Sequence, residues 1–151
     1  MSTEASFAKL KDFFENRPVA REAAQPLKKD VEIGIIIDGQ IECAFFKELD
    51  IPRFERRPAK KPDAIFSITA QGVDQLVATQ SEDIGELGIT ILKAYAHKQV
   101  HIKVTGPLLN FVTRGYLGVI SKGGITFSKY LASKGLTSLG KIKTVISELR
   151  K

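Results

Sequence analysis

The sequence predicts an α+β domain, and three observations carry that reading. Two β-rich runs, residues 31–37 and 40–47, flank an Asp38-Gly39 pair and so form a hairpin. Beyond Thr69 the apolar period changes from that of a strand to that of a helix. A single alternating run, residues 100–105, then returns between helical segments. Hairpin-linked strands followed by helices fit an α+β arrangement rather than a parallel doubly wound sheet.

The elements follow in order. Phe7, Leu10 and Phe14 recur at helical spacing, which predicts an amphipathic helix over residues 4–16. Pro18 ends that helix or starts the next turn, and residues 20–28 form a weaker helical stretch broken by Pro26. The hairpin needs positive φ at both Asp38 and Gly39, and its second strand places Ile41, Cys43 and Phe45 on one face. Residues 51–57 add a short third strand, which Pro52 confines to an edge or to the strand's start. After a basic, proline-bounded loop, residues 64–69 form another strand. Thr69 caps a helix that runs through Ala78 with Val73, Leu76 and Val77 on one side. Ser81 is the expected cap of the next helix, which runs to about His97. Ile84, Leu87, Ile91, Leu92 and Tyr95 form its stripe. Val100, Ile102 and Val104 make a half-buried strand that Gly106-Pro107 stops, opening a helix with Leu108, Leu109, Phe111 and Val112. Two further helical pieces, residues 125–133 and 138–150, close the chain.

A chain of 151 residues fits one domain, expected over 1–151 with an N-terminal helical segment at 1–27 and a basic helical extension at 119–151. The lone Cys43 excludes an internal disulfide, and neither an apolar leader nor an 18-residue apolar run is found, so a cytoplasmic location is expected. The net charge of +6 is unevenly spread. Residues 31–52 hold one lysine against five acids, residues 53–61 hold five basic residues against Glu55, and residues 114–151 hold eight against Glu148. Such basic segments either face an anionic partner or form a solvated surface.

No catalytic constellation emerges. There is no Gly-x-Ser-x-Gly elbow and no phosphate-binding glycine loop. Cys43 lies on the inward face of a strand, where a thiol is normally inert core. His97 and His101 are four apart, but they straddle a helix end and a strand and cannot aim at one ion, so no metal or other cofactor is expected. Glu82, Asp83 and Glu86 sit where acids favour a helix N-terminus. The basic C-terminal third contains Phe127 and Tyr130, yet no nucleic-acid signature accompanies them.

The order of elements resembles the lipid-binding domain of the sterol carrier protein type-two family, over about residues 28–118. The Asp38-Gly39 hairpin, the run 62–69 leading into Val73-Asp74-Gln75-Leu76-Val77, and the strand 100–105 ending at Gly106 carry the resemblance. It implies a five-stranded, mostly antiparallel sheet covered on one face by helices, with residues 51–57 as the third strand and extra C-terminal helices here. It also implies a tunnel for a sterol, fatty acid, acyl-CoA or related lipid, and no catalysis. Departures are a longer helical region over residues 81–98, Pro107 after Gly106, and the basic extension.

The expected function is therefore non-enzymatic binding or transfer of an apolar, lipid-like ligand, isoprenoid lipids included. Ile84, Leu87, Ile91, Leu92, Tyr95, Leu108, Phe111 and Val112 are the candidate lining. Arg53, Arg56, Arg57, Lys60 and Lys61 are candidates for contact with an anionic membrane or another anion. A protein-interaction scaffold with a collapsed core is the alternative; the C-terminal extension could lid the tunnel, form a homo-oligomer or dock on a membrane. A basic nucleic-acid binder ranks third.

Overall fold

The computed structural model describes residues 3–79 and 83–106, together with 129, 130, 132 and 133. Within them the chain runs α1 (Thr3–Asn16), α2 (Pro18–Ala24), β1 (Glu32–Ile37), β2 (Ile41–Glu48), β3 (Ile51–Glu55), β4 (Ala64–Ile68), α3 (Ala70–Val77), α4 (Ile84–Ala96) and β5 (Val100–Val104). The strands form one sheet in the order β3-β2-β1-β4-β5. Three of its pairings are antiparallel and β1–β4 is parallel. The α+β class and the mostly antiparallel five-stranded sheet are thus as expected, and Pro52 lies in an edge strand, where its missing N–H is tolerated.

The first hairpin turns as its sequence demands, with φ of 53° at Asp38 and 67° at Gly39. Asp38 then does a second task. Its backbone N–H donates to the Ile68 carbonyl, and its Oδ1 accepts from the Ala70 N–H at 2.9 Å. The end of β1 is thereby tied to the end of β4 and to the first turn of α3. Thr69 caps α3 as expected, accepting from the Gly72 N–H. The cap of α4 differs from expectation: Asp83 accepts from the Gly85 N–H, and the helix begins at Ile84. Both Ser81 and Asp83 are good capping residues, so type alone could not choose between them; Ser81 lies outside the described residues.

Alternation sorts the sheet into two faces. Ile35, Ile37, Ile41, Cys43, Phe45, Phe54, Ile68 and Val100 join Leu10, Phe13, Val19, Val73 and Leu87 in one core. The four described helices thus cover this face. Glu42, Arg53, His101 and Lys103 stand exposed on the other.

Helix α1 seals the β3 edge. Lys11 and Glu15 pair at 2.8 Å across one turn. Lys11 Nζ donates to the Phe54 carbonyl at 3.0 Å, and the Phe54 N–H donates to Glu15 Oε2 at 2.9 Å. The ion pair thus bonds the edge strand's backbone as a neighbouring strand would, blocking edge-to-edge pairing. Phe14 completes the seal, stacked on Phe54 at 5.4 Å and tilted on Phe45 at 4.6 Å. Burial alone would raise the Glu15 carboxyl, but its bonds to Lys11 and Phe54 outweigh that and hold it below the usual carboxylate range.

At the far side of the sheet the Asp63 carbonyl accepts from both Thr105 and Gly106 N–H groups. A Cβ at Gly106 would lie 2.9 Å from the Asp63 Cα and closer still to its carboxylate, so only glycine fits against that backbone.

Two stability predictions follow from these contacts. Glu15→Ala leaves the Phe54 amide without its acceptor and should cost about 1–3 kcal/mol in denaturant unfolding. Gly106→Ala forces the β5 end away from Asp63 and should cost about 2 kcal/mol by the same measurement.

Candidate functional site

Helix α4 is apolar around most of its circumference, although a helix that only covers a sheet needs one apolar stripe. Leu87 and Ala94 are buried and Ile84 and Ile91 half-buried, which defines the side facing the core. Gly88, Ile89 and Leu92 follow around the helix and are half-buried, and Tyr95 is 39% exposed. Of the residues expected to line a ligand space, Ile84, Leu87 and Ile91 face the interior together, whereas Leu92 and Tyr95 lie on the flank. Leu108, Phe111 and Val112 lie outside the described residues. Ala94, absent from the expected stripe, takes the inward position beside Tyr95.

Beneath α4 is a cavity of about 20 Å³, lined by Ile68, Gly72, Leu76, Thr90, Ile91, Ala94 and Val100. Thr90 is the one hydroxyl in this lining. Its Oγ1 donates to the Glu86 carbonyl one turn back at 3.0 Å, so it asks nothing of the cavity. The space therefore holds about one water-sized group and offers dispersion contacts rather than polar recognition. Gly72 sets its floor, since a Cβ there would meet the Gln99 carbonyl oxygen and the Ile68 side chain, each at 2.9 Å.

Cys43, His97, His101 and Asp83, weighed above for chemistry, lie at separate places in the fold. Cys43 is 1% exposed, and burial pushes its thiol up to about 11, so it is protonated at neutral pH. His97 is the C-cap of α4 and His101 lies in β5, both exposed. Asp83 is occupied as the α4 cap.

The basic segment, residues 53–61, divides. Arg56 turns to Glu4 at the start of α1, 2.7 Å away. Arg57 grips Glu32 through both terminal nitrogens at 2.8 and 2.9 Å, and its Nε donates to Glu55 at 2.9 Å. Its guanidinium also lies 4.9 Å over the Phe46 ring. Glu32 accepts a further bond from the Lys60 N–H at 2.6 Å. Hydrogen bonds from Arg57 outweigh desolvation and hold the Glu32 carboxyl below the usual range, while Glu32 raises Arg57. Arg57 is thus a fastener that lays the β3–β4 connection across the outer face of the sheet. Arg53, Lys60 and Lys61 remain exposed. The sequence could not reveal this division, because Glu32 lies 25 positions from its partner.

Compared with known proteins, the chain matches no family model and no curated protein. Among solved structures it is similar to a UbiJ-SCP2 ubiquinone synthesis protein, with a TM-score of 0.45 and 12% sequence identity over 78% of this chain and 90% of that one.

The Glu32–Arg57 contact gives a pH-dependent prediction. Because the folded carboxyl is the stronger acid, its stabilisation is complete at neutral pH and disappears as the pH falls through its depressed folded value. Glu32→Gln should lower stability by about 1–3 kcal/mol at pH 7. The gap from wild type should close on acidification, as read by urea unfolding across a pH series.

Proposed function

We propose that the domain binds an apolar, lipid-like ligand between α3–α4 and the β4–β5 side of the sheet, and that it does so without catalysis. The observation that carries this reading is the apolar surplus of α4. Ile89, Leu92 and Tyr95 extend its apolar surface well beyond the side packed on the core. The cavity lining, apolar but for one satisfied threonine, supports the same reading, as ligand pockets of this class are mostly aliphatic. A sterol, fatty acid, acyl-CoA or isoprenoid lipid all fit that chemistry.

Binding requires the space to grow. Pockets for such ligands hold about 300 Å³ or more, so α4 must move away from β5, the strand at the sheet's edge. Such a helix is held mainly by burial against α2, α3 and β5, and a lipid chain replaces those contacts with equivalent ones. Burying about ten methylenes provides roughly 8 kcal/mol, enough for micromolar affinity if opening costs little. The tight cavity equally suits a packed scaffold that interacts through its surface, and the same experiment separates the two.

Organic extraction of protein purified without detergent, followed by mass spectrometry, should recover lipid in near-stoichiometric amount. Ile91→Phe fills the cavity and should reduce the recovered lipid severalfold while the melting temperature is kept or raised. Absence of lipid from the wild type, together with no binding of a fluorescent fatty acid, would assign the scaffold role instead.

A further inference from the structure

The β2–β3 hairpin breaks a local rule. Leu49 and Asp50 form its two-residue tip, with φ of 52° and 64°. Turns of this kind select asparagine, aspartate and glycine, and a leucine there is strained. Leu49 also has 90% of its surface exposed, and Ile51 beside it 46%. The chain thus places a large aliphatic group where both conformation and hydration disfavour it, and at 90% exposure little burial among the described residues offsets that.

The surroundings of this tip follow from topology. The end of β2, the start of β1 and the start of β4 all lie at one end of the sheet, because Glu32 pairs with Phe46 and Gly34 with Ile65. Lys47 Nζ donates to the Gln25 carbonyl at 2.9 Å, drawing the α2–β1 connection to the same end. The Lys60 N–H bond to Glu32 brings the β3–β4 connection there too. Exposed Lys28, Lys29, Lys60 and Lys61 therefore share one end of the molecule with the Leu49–Ile51 tip. Asp30, Glu48 and Asp50 are the exposed acids interleaved with them, Asp50 lying 4.0 Å from the largely buried Lys47, and exposed Arg53 adds to the positive side.

We infer that this end of the sheet docks on an anionic lipid bilayer, with Leu49 and Ile51 inserted among the acyl chains and the lysines on the headgroups. The charge matches an anionic surface. The aliphatic tip separates a bilayer from a nucleic acid, which offers phosphates but no apolar layer for a leucine. This surface is distinct from the space under α4, and the inference stands whether or not that space takes a ligand.

The chain has no tryptophan, so a Leu49→Trp variant carries a single reporter at the tip. Its emission should shift to the blue with vesicles of equimolar phosphatidylcholine and phosphatidylglycerol, and not with phosphatidylcholine alone. A Glu42→Trp control, on the outer face near the opposite end, should not shift. In co-sedimentation, Leu49→Asn should weaken binding about tenfold, the effect of withdrawing one leucine from an apolar layer. The same substitution should raise the melting temperature, since asparagine suits the left-handed turn, so lost binding cannot be put down to misfolding. Lys28→Gln/Lys29→Gln/Lys60→Gln should weaken it more than tenfold, with added salt doing likewise to the wild type. Wild-type protein that ignores the anionic vesicles, or Leu49→Asn that binds them as well as the wild type, would overturn the inference. Retention on heparin or RNA without vesicle binding would also overturn it, in favour of a nucleic-acid surface.

Discussion

The parallel pairing of β1 with β4 is the constraint on which the rest of this fold depends. Strand β1 is central, and its other neighbour, β2, follows it through a tight hairpin. Placing β4 alongside it in parallel obliges the chain to return from the end of β3 to the starting end of β1. No helix makes that return. A connection over residues 56–63 does, and an extended segment crossing a sheet has few hydrogen bonds of its own. Arg57 supplies the missing anchorage, joining Glu55, Glu32 and the Phe46 ring in one contact. Asp63 finishes the passage by holding the end of β5, and Asp38 locks the far end of the β1–β4 pair to α3. Arg57, Asp63 and Asp38 sit at the points where the path could otherwise slip.

The two sides of the sheet are then finished by different physics. On the β3 side, α1 binds the edge through a polar bridge and an aromatic stack, which fix orientation as well as burial. On the β5 side, α4 is held mainly by apolar contact. Directional bonds break all at once and return to one geometry, whereas dispersion and burial tolerate sliding and substitution. A fold that must admit an apolar guest gains from having that tolerance on one side only. In the proposed binding mode the rigid side would keep the sheet intact while the other side exchanged one set of hydrocarbon contacts for another.

Much of this was legible in the sequence where the information is local. Alternation and helical period located every described element to within a few residues, because burying one face imposes its period directly on the chain. Pro52 correctly marked an edge, and Asp38-Gly39 the turn. Pairing between distant segments left no such trace: neither the parallel β1–β4 contact nor the Glu32–Arg57 grip has a local signature. Small residues also hid their roles. Ala44 and Ala94 are buried as deeply as the large core residues, yet alanine is nearly neutral in any hydrophobic pattern. Tyr95 fits the helical spacing of the stripe nearly as well as Ala94 does, and the helix turns Ala94 inward. Within the candidate site, the stripe from Ile84 to Ile91 was legible, and the cavity floor at Gly72 was not, because it depends on the closeness of a loop carbonyl.

Natural sequences agree with their own folds at nearly every level, so positions of disagreement carry information. Here most local choices are consistent: caps accept the bonds they should, glycine stands where a side chain cannot, and the edge proline sits at an edge. Among the described residues, two large apolar choices stand apart. One is the apolar surplus on α4, and the other is a strained, solvated leucine at the β2–β3 tip. Each could be changed to a polar residue with a gain in solubility, and in the second case with relief of backbone strain. Among the described residues, packing accounts for only part of the first and for little of the second. An apolar guest for the first and an apolar layer for the second would each account for the rest, and both call for the same solvent, hydrocarbon, at two separate places on one small sheet.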